Sequence, residues 1–408
     1  MNKNYFTSAL SIKMAKVFCF LLFTFLLFSI SSYSQTTKTL TPSDTSPLEI
    51  AAGITSLSVQ CWGAGGGGGG SNELLTLVSL GAAGGGGGGG AYSQGTVAVT
   101  AIPTNAKISY TVGQGGAGGS YGSTTLNGLA GGQTTFSTIT SNGGGGGGGG
   151  TLLVRAGVGG TGGLGGFKNG GNGSTAYLVA INVLALQIGI NRSGGGGSSA
   201  GTTSNGNNAS GLTGGAAVSG GAAGGNGSQK QLLLSMVTSA NVPGSSGSFP
   251  GGGGGGATGG GLVDGLLNGI LGGSSSDVSK GGDGGNGQIK VTYTCPTYSV
   301  TSASSTGACS AFGTATITLG SSPAGLPIGT YTVTYDRTLP AATGLPAIMV
   351  VSTAGTGTFT AEGLTTAGTS RITIKKIKSV DCETDVSASN RYADLTVNTV
   401  PAQPGTIS

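Results

Sequence analysis

Thr55-Ser56-Leu57-Ser58-Val59-Gln60-Cys61-Trp62 runs through Gly63-Ala64 directly into Gly65–Gly70, a pure glycine tract. The first eight residues read as a strand, with β-branched and apolar residues alternating with small polar ones. The same junction recurs. Gly84–Gly90 runs into Ala91–Thr100, Ala106–Val112 supplies another strand, and Thr134–Thr140 leads into Gly143–Gly150. Pro47–Ile50 precedes the first tract, and Gln288–Thr294 (QIKVTYT) closes the region. Strands therefore form a sheet framework, and the glycine tracts are long insertions between them.

A tract of this kind has three physical options. Alone in water it is flexible coil, because glycine loses more backbone entropy on ordering than any other residue. A collagen triple helix needs a strict Gly-X-Y period and abundant proline, and the chain has 12 prolines. The third option is a bundle of polyglycine II rods, with three residues per turn and a rise of ~3.1 Å, whose N–H and C=O groups point sideways. Pure tracts at 65–70, 84–90, 143–150, 194–197 and 251–256 suit interior rods. Mixed tracts at Gly157–Gly166, Gly214–Gly227 and Gly281–Gly287 suit peripheral rods whose third residue faces outward. The expected fold is all-β: a β-sandwich framework carrying an inserted polyglycine II bundle, followed by a second sandwich.

Composition narrows the function classes. The chain has 408 residues, of which 90 are glycine and only 7% are charged. It has no histidine, which excludes histidine triads and proton shuttles. Net charge is +5 from 17 basic and 12 acidic residues, too dilute for a nucleic-acid surface. Beyond the N-terminus no apolar run reaches the ~18 residues that span a bilayer. Residues 1–34 read as a secretory leader: Lys13 and Lys16, an apolar core over Val17–Ile30, and a small-residue cleavage site at Ser32-Tyr33-Ser34. Export makes disulfides plausible. Cys309 and Cys382, both in the C-terminal region, are the expected pair; Cys61 and Cys295 either pair or stay buried as small hydrophobes.

Of the 90 glycines, 79 fall between Gly53 and Gly287 and 11 follow Cys295, so a boundary lies near 294/295. Beyond it, over 295–399, alternating runs such as Ala315–Leu319, Tyr331–Tyr335, Ile348–Val351, Arg371–Ile377 and Tyr392–Val397 sit at the spacing of an immunoglobulin-like sandwich. Residues 400–408 read as a linker toward a further module.

Val59-Gln60-Cys61-Trp62-Gly63-Ala64 with its glycine tract, GGAYSQGTVAVT, YTVGQGGAGG, GGQTTF and GGDGGNGQIKVTYT together resemble the bacterial glycine-rich domain of large secreted surface proteins. They are also similar to glycine-rich regions of phage tail-fibre tip adhesins and of the anaplastic lymphoma kinase receptor. The resemblance covers roughly residues 40–294 and implies rods packed on a β framework; in the phage proteins, loops at the rod ends touch the receptor. The C-terminal region resembles the immunoglobulin-like repeats of Bacteroidota surface proteins, including gliding-motility adhesins exported by the type IX system.

Five apolar islands interrupt the glycines: Leu74–Leu80, Leu152–Val158, Ala176–Ile190, Leu232–Val237 and Leu262–Leu271. They either cluster as a second core capping the bundle or present an adhesive tip. The contact candidates are Leu74, Leu75, Tyr177, Leu178, Leu184, Leu233, Leu266 and Leu267. Other motifs carry little. GxGxxG is uninformative in so glycine-rich a chain, and no GK[ST] is present. GGDGGNG over 281–287 matches a calcium nonapeptide poorly. Asp381, Glu383 and Asp385 read as a solvated loop beside a disulfide, and Lys375, Lys376 and Lys378 as edge protection. Trp62 and Tyr92 read as packing where framework meets bundle. The sequence thus points to a non-catalytic, secreted cell-surface adhesin or display protein without cofactor or metal. Its partner would be a cellular or abiotic surface. The alternatives are a self-associating filament or matrix subunit, or an accessory module of a larger exported protein.

Overall fold

A computed structural model of the chain describes residues 35–71, 82–120, 126–151, 154, 156–183, 186–231, 242–259, 279–386 and 391–399. The expected leader and C-terminal linker lie outside them. Among the described residues every regular element is a β-strand, so the fold is all-β.

The framework begins with β1 (Gln35–Leu40), β2 (Leu48–Glu49), β3 (Ser56–Trp62) and β4 (Tyr92–Ala98), followed by β5 (Lys107–Ile108), β6 (Tyr110–Thr111), β7 (Thr134–Phe136) and β8 (Ile139–Ser141). Within the glycine region lie β9 (Tyr177–Val183), β10 (Leu186–Arg192) and β11 (Gln229–Gln231), and β12 (Gln288–Thr294) closes it. One antiparallel sheet has the order β1-β12-β3-β4; a smaller one, β6-β7-β8, packs against it. Alternation explains the pairing. Leu57, Val59 and Cys61 of β3 face the core with Ile289 and Val291 of β12, and all five are fully buried. Ile289 lies opposite Cys61 and Val291 opposite Val59. The first and last strong strands of the glycine region are therefore neighbours, and the rods leave and re-enter one sheet.

The tracts bond with a period of three. In rod 63–71, Gly66 and Gly69 donate to Gly88 and Gly85, Gly67 and Gly70 to Leu129 and Leu126, and Gly65 and Gly68 to Gly285 and Gly282, all at 2.7–2.9 Å. Its carbonyls rotate in the same way. They accept from Gly116 and Gly119, from Gly254 and Ala257, and from Gly147 and Gly150. This rod thus has six bonded neighbours: 84–91, 126–132, 279–287, 113–119, 251–257 and 142–150. Three-residue rotation of the bonding direction is the mark of the polyglycine II helix. Rods 84–91, 193–200 and 251–257 are enclosed in the same manner. Rod 142–150, expected inside, bonds only to rods 63–71, 84–91, 126–132 and 156–165 and lies on the outer face. The four-glycine tract 194–197, by contrast, extends through Ser193, Ser198, Ser199 and Ala200 into a buried rod.

Glycine is required because the rods touch along their backbones. A Cβ on Gly66 would fall under 3.0 Å from the Gly145 carbonyl oxygen, and one on Gly87 as close to that of Gly66. The Cα hydrogens in those positions point at the same oxygens, adding weak Cα–H···O contacts.

After β12 come β13 (Ser302–Ser305), β14 (Ala308–Cys309), β15 (Ala315–Gly320), β16 (Gly329–Thr338), β17 (Ala341–Thr353), β18 (Thr356–Ala361), β19 (Gly368–Ser379), β20 (Cys382–Asp385) and β21 (Tyr392–Asn398). They form one curled sheet, β13-β15-β18-β17-β16-β19-β21-β14, with β20 paired to β19. Its concave side is filled by Ile317, Leu319, Val333, Met349, Val351, Ile372, Ile374 and Ile377. This core is continuous with that of the framework.

The seam is polar as well as apolar. Buried Asn105 donates to the Thr330 carbonyl and accepts from the Thr330 amide at 2.8 Å, Ser379 Oγ accepts from the Ala52 amide, and the Tyr298 hydroxyl donates to the Ala52 carbonyl. Asn105 takes a positive φ of 60° to do so, a conformation asparagine tolerates better than most residues.

The disulfide crosses this seam and corrects the expected pairing. Cys382 bonds to Cys295, with Cα atoms 5.4 Å apart, and not to Cys309. The end of β12 meets the β19–β20 turn, where Asp381 accepts from the Tyr293 hydroxyl and pairs with Lys38. Cys309 sits on β14, opposite Asn398, and is free. Cys61 is free and buried, and burial pushes its thiol pKa up to about 12.

Two outcomes are expected. Gly87→Ala should destabilise the protein by at least about 1–3 kcal/mol, an overpacking penalty. Gly166→Ala, whose Cβ meets only Ser93 Oγ at 3.6 Å, should stay within about 0.5 kcal/mol of wild type. Denaturant melts of the two variants make the comparison. Second, iodoacetamide on the native, unreduced protein should label Cys309 and leave Cys61 unlabelled until unfolding. Peptide mapping should recover a Cys295–Cys382 crosslink.

Candidate functional site

The rods have two distinct ends. At the framework end, the Gly63 amide donates to Ala91, Ala91 to Asn142 and Tyr92 to Lys168. Trp62, packed at a tilt of 48° against Tyr92 with centroids 4.9 Å apart, donates its indole N–H to the Ala200 carbonyl at 3.1 Å. Both rings are buried, so they pin the junction; Phe167 packs edge-on against Tyr92 and is half exposed.

At the far end a collar of small hydroxyls ties the rods. Ser193 Oγ donates to Gly256, Ser228 Oγ to Val242, Ser279 Oγ to Thr258 and Ser71 Oγ to Ala82, at 2.7–2.9 Å. Ser71, Ser193, Thr258 and Ser279 are almost wholly buried. Here β9, β10 and β11 form a small antiparallel sheet, and the two side-chain amide atoms of buried Asn191 have no hydrogen-bond partner among the described residues.

Rod direction brings the described residues that flank each apolar island to this end. The chain leaves the collar at Ser71 and returns at Ala82; it leaves again at Gly150, Ala176, Ser228 and Thr258, and returns at Ala156, Ser193, Val242 and Ser279. Bridges join Ser71 to Gly150, Ala83 to both Ala156 and Thr258, and Val242 to Thr258. Of the predicted contact residues, Tyr177 opens β9 opposite Arg192 and is 61% exposed, while Leu178 lies opposite Asn191 and is half-buried. Leu74, Leu75, Leu184, Leu233, Leu266 and Leu267 lie outside the described residues.

The bundle periphery carries a feature that the sequence reading missed. Outward amides of edge rods are capped by side chains three residues apart on the neighbouring rod. Gly159, Gly162 and Gly165 donate to Thr175 Oγ1, Asn172 Oδ1 and Asn169 Oδ1. Gly118 and Gly115 donate to Asp283 and Asn286 Oδ1, Gly214 to Asn226, and Gly149 to Asn127. The GGDGGNG motif is thereby explained as a capping segment. Burial opposes ionisation of Asp283, but the Gly118 amide and Lys280 hold its pKa below the ordinary value. The signal was legible in principle: Asn, Asp or Thr at every third place of a mixed tract.

Of the remaining charged candidates, Asp381, Lys375, Lys376, Glu383 and Asp385 form ion pairs on the surface. Lys376 contacts Glu383 at 2.7 Å and Asp385 at 3.6 Å, and holds the Glu383 carboxyl below its ordinary pKa. Among the described residues no group of three or more His, Cys, Asp or Glu is placed to hold a metal ion. Burial pushes the phenols of Tyr293, Tyr298 and Tyr331 up, as packing residues.

Rods packed shoulder to shoulder, pinned by a sheet at one end and a hydroxyl collar at the other, define a glycine-rich bundle protein. Residues 41–294 match the family model described as a glycine-rich domain, and the chain belongs to that family. No curated protein matches the sequence.

The capping ladder has a gap. Following Asn127 and Gly149, Ala130 is the residue whose position corresponds to Gly146, and no described residue accepts a hydrogen bond from the Gly146 amide. Ala130→Asn should therefore raise stability by about 0.5–1.5 kcal/mol, one net hydrogen bond, measured by denaturant midpoint at unchanged m-value.

Proposed function

We propose that this protein is a secreted, non-catalytic cell-surface adhesin or display module that makes contact through the apolar islands at the far end of its bundle. One observation carries the reading: all five islands are strung between rods that end at the same collar, opposite the framework and the C-terminal sheet. A rod of eight glycines reaches roughly 25 Å, enough to hold a contact surface well clear of its attachment. Large apolar surfaces on soluble proteins generally mark interaction sites.

The C-terminal sheet supports a spacer role. Setting β13, β15, β16, β17, β18, β19 and β21 as strands A, B, C, D, E, F and G gives the order A-B-E-D-C-F-G. The order A-B-E-D followed by C-F-G matches that of the two sheets of an immunoglobulin-like constant module, here joined through D and C, which supports reading this region as such a module. A disulfide across the seam is consistent with an oxidising, extracellular destination. The Bacteroidota setting and type IX export extend this reading by resemblance.

Replacing Leu262–Leu271 with a Gly-Ser segment of equal length should abolish retention of the purified protein on apolar surfaces and host cells. Its melting midpoint should stay within a few degrees of wild type. Undiminished retention by the folded variant would sink the adhesive tip, and self-assembly of wild type into fibres would favour the matrix alternative.

A further inference from the structure

We propose that the outer groove between rods 142–150 and 156–165 is a docking slot for an extended, uncharged, glycine-rich segment of another chain. The two rods are bonded to each other beneath it, the Gly145 amide donating to Thr161 and the Gly148 amide to Val158, both at 2.7 Å. Above those bonds both walls keep free groups. No described residue accepts from the amides of Val158 or Thr161, and none donates to the carbonyls of Gly143 or Gly146.

Elsewhere a side chain closes such a row. Asn142, at the framework end of this rod, instead extends the row beneath the slot: its side-chain amide donates to the Leu164 carbonyl at 2.7 Å, as the Gly145 and Gly148 amides do to Thr161 and Val158. Three and six residues on, where caps would face Thr161 and Val158, the chain has Gly145 and Gly148. A Cβ on Gly145 would meet Thr161 Oγ1, at the end of a side chain that can rotate aside, at 3.0 Å and the Thr161 nitrogen at 3.2 Å, and one on Gly148 the Val158 nitrogen at 2.9 Å. The slot is open because these two positions lack side chains.

The occupant follows from the lattice that the slot continues. Interior rods are surrounded on six sides, and rod 142–150 on four. Donors on one wall and acceptors on the other repeat every three residues, the spacing that every seated rod already uses. A segment with three residues per turn can accept from Val158 and Thr161 and donate to Gly143 and Gly146; about six residues, roughly 19 Å, fill it. Backbone-to-backbone approach over Gly145 and Gly148 demands glycine on the facing side. The described rim offers Val158, Thr161 and Leu164, with the two aliphatic residues 64% and 68% exposed and no charge to complement.

The test is fluorescence anisotropy of a labelled, N-acetylated (Gly-Gly-Ser)3 amide against the full chain. Saturable binding is expected, weakened at least about tenfold by Gly145→Asn, whose amide would fill the slot and cap Thr161. That variant should melt no lower than wild type. A peptide N-methylated at every residue, which has no backbone amide left to donate, should lose binding as well, and it decides the matter if Gly145→Asn fails to fold. Absence of saturable binding, equal binding by folded Gly145→Asn, or indifference to N-methylation would each overturn the slot.

Discussion

Lateral N–H···O=C bonding between backbones without side chains is the interaction on which the molecule depends. Ordering a residue costs about 1–2 kcal/mol of conformational entropy, and glycine sits at the high end. One net hydrogen bond returns about 0.5–1.5 kcal/mol, and a Cα–H···O contact about 0.5–1. A rod bonded on one side therefore stays coil, whereas one enclosed on six sides breaks even or better. This explains why the enclosed rods 63–71, 84–91 and 251–257 are built almost entirely of glycine. Side chains appear only where a rod faces solvent or ends.

Edges and ends pose a second constraint, because every backbone polar group needs a partner. The chain meets it with side chains of matched reach. Asn, Asp and Thr at three-residue spacing stand in for the missing rod along the flank, and Ser and Thr close the far end. The sheet closes the near end, with Trp62 reaching across to Ala200. The places where this rule lapses, at Ala130, Gly145 and Gly148, are conspicuous because the surrounding ladder is regular.

The framework and the C-terminal sheet share a core and a covalent crosslink, so the two do not hinge freely on each other. Asn105, Tyr298 and Ser379 add directional bonds that a purely apolar contact would lack. The hydroxyl collar at the far end of the rods is thereby tied, through rods and framework, to the C-terminal sheet.

Much of this was written in local sequence. The junctions of strand and glycine at Trp62 and Gln288, the absence of proline periodicity and the density of glycine pointed to a β framework with inserted rods, since no other ordered state suits side-chain-free tracts. The apolar islands were equally plain. Tertiary structure alone decided which rods lie inside, since enclosure depends on neighbours tens to hundreds of residues away: rod 142–150 is pure glycine yet peripheral, and Ser-flanked 194–197 is buried. It also decided that Cys382 meets Cys295, because the residue just past β12 falls beside the β19–β20 turn, a proximity that no spacing encodes. Hydrogen-bond capacity is a property of each residue; the partner that satisfies it is a property of the packed whole.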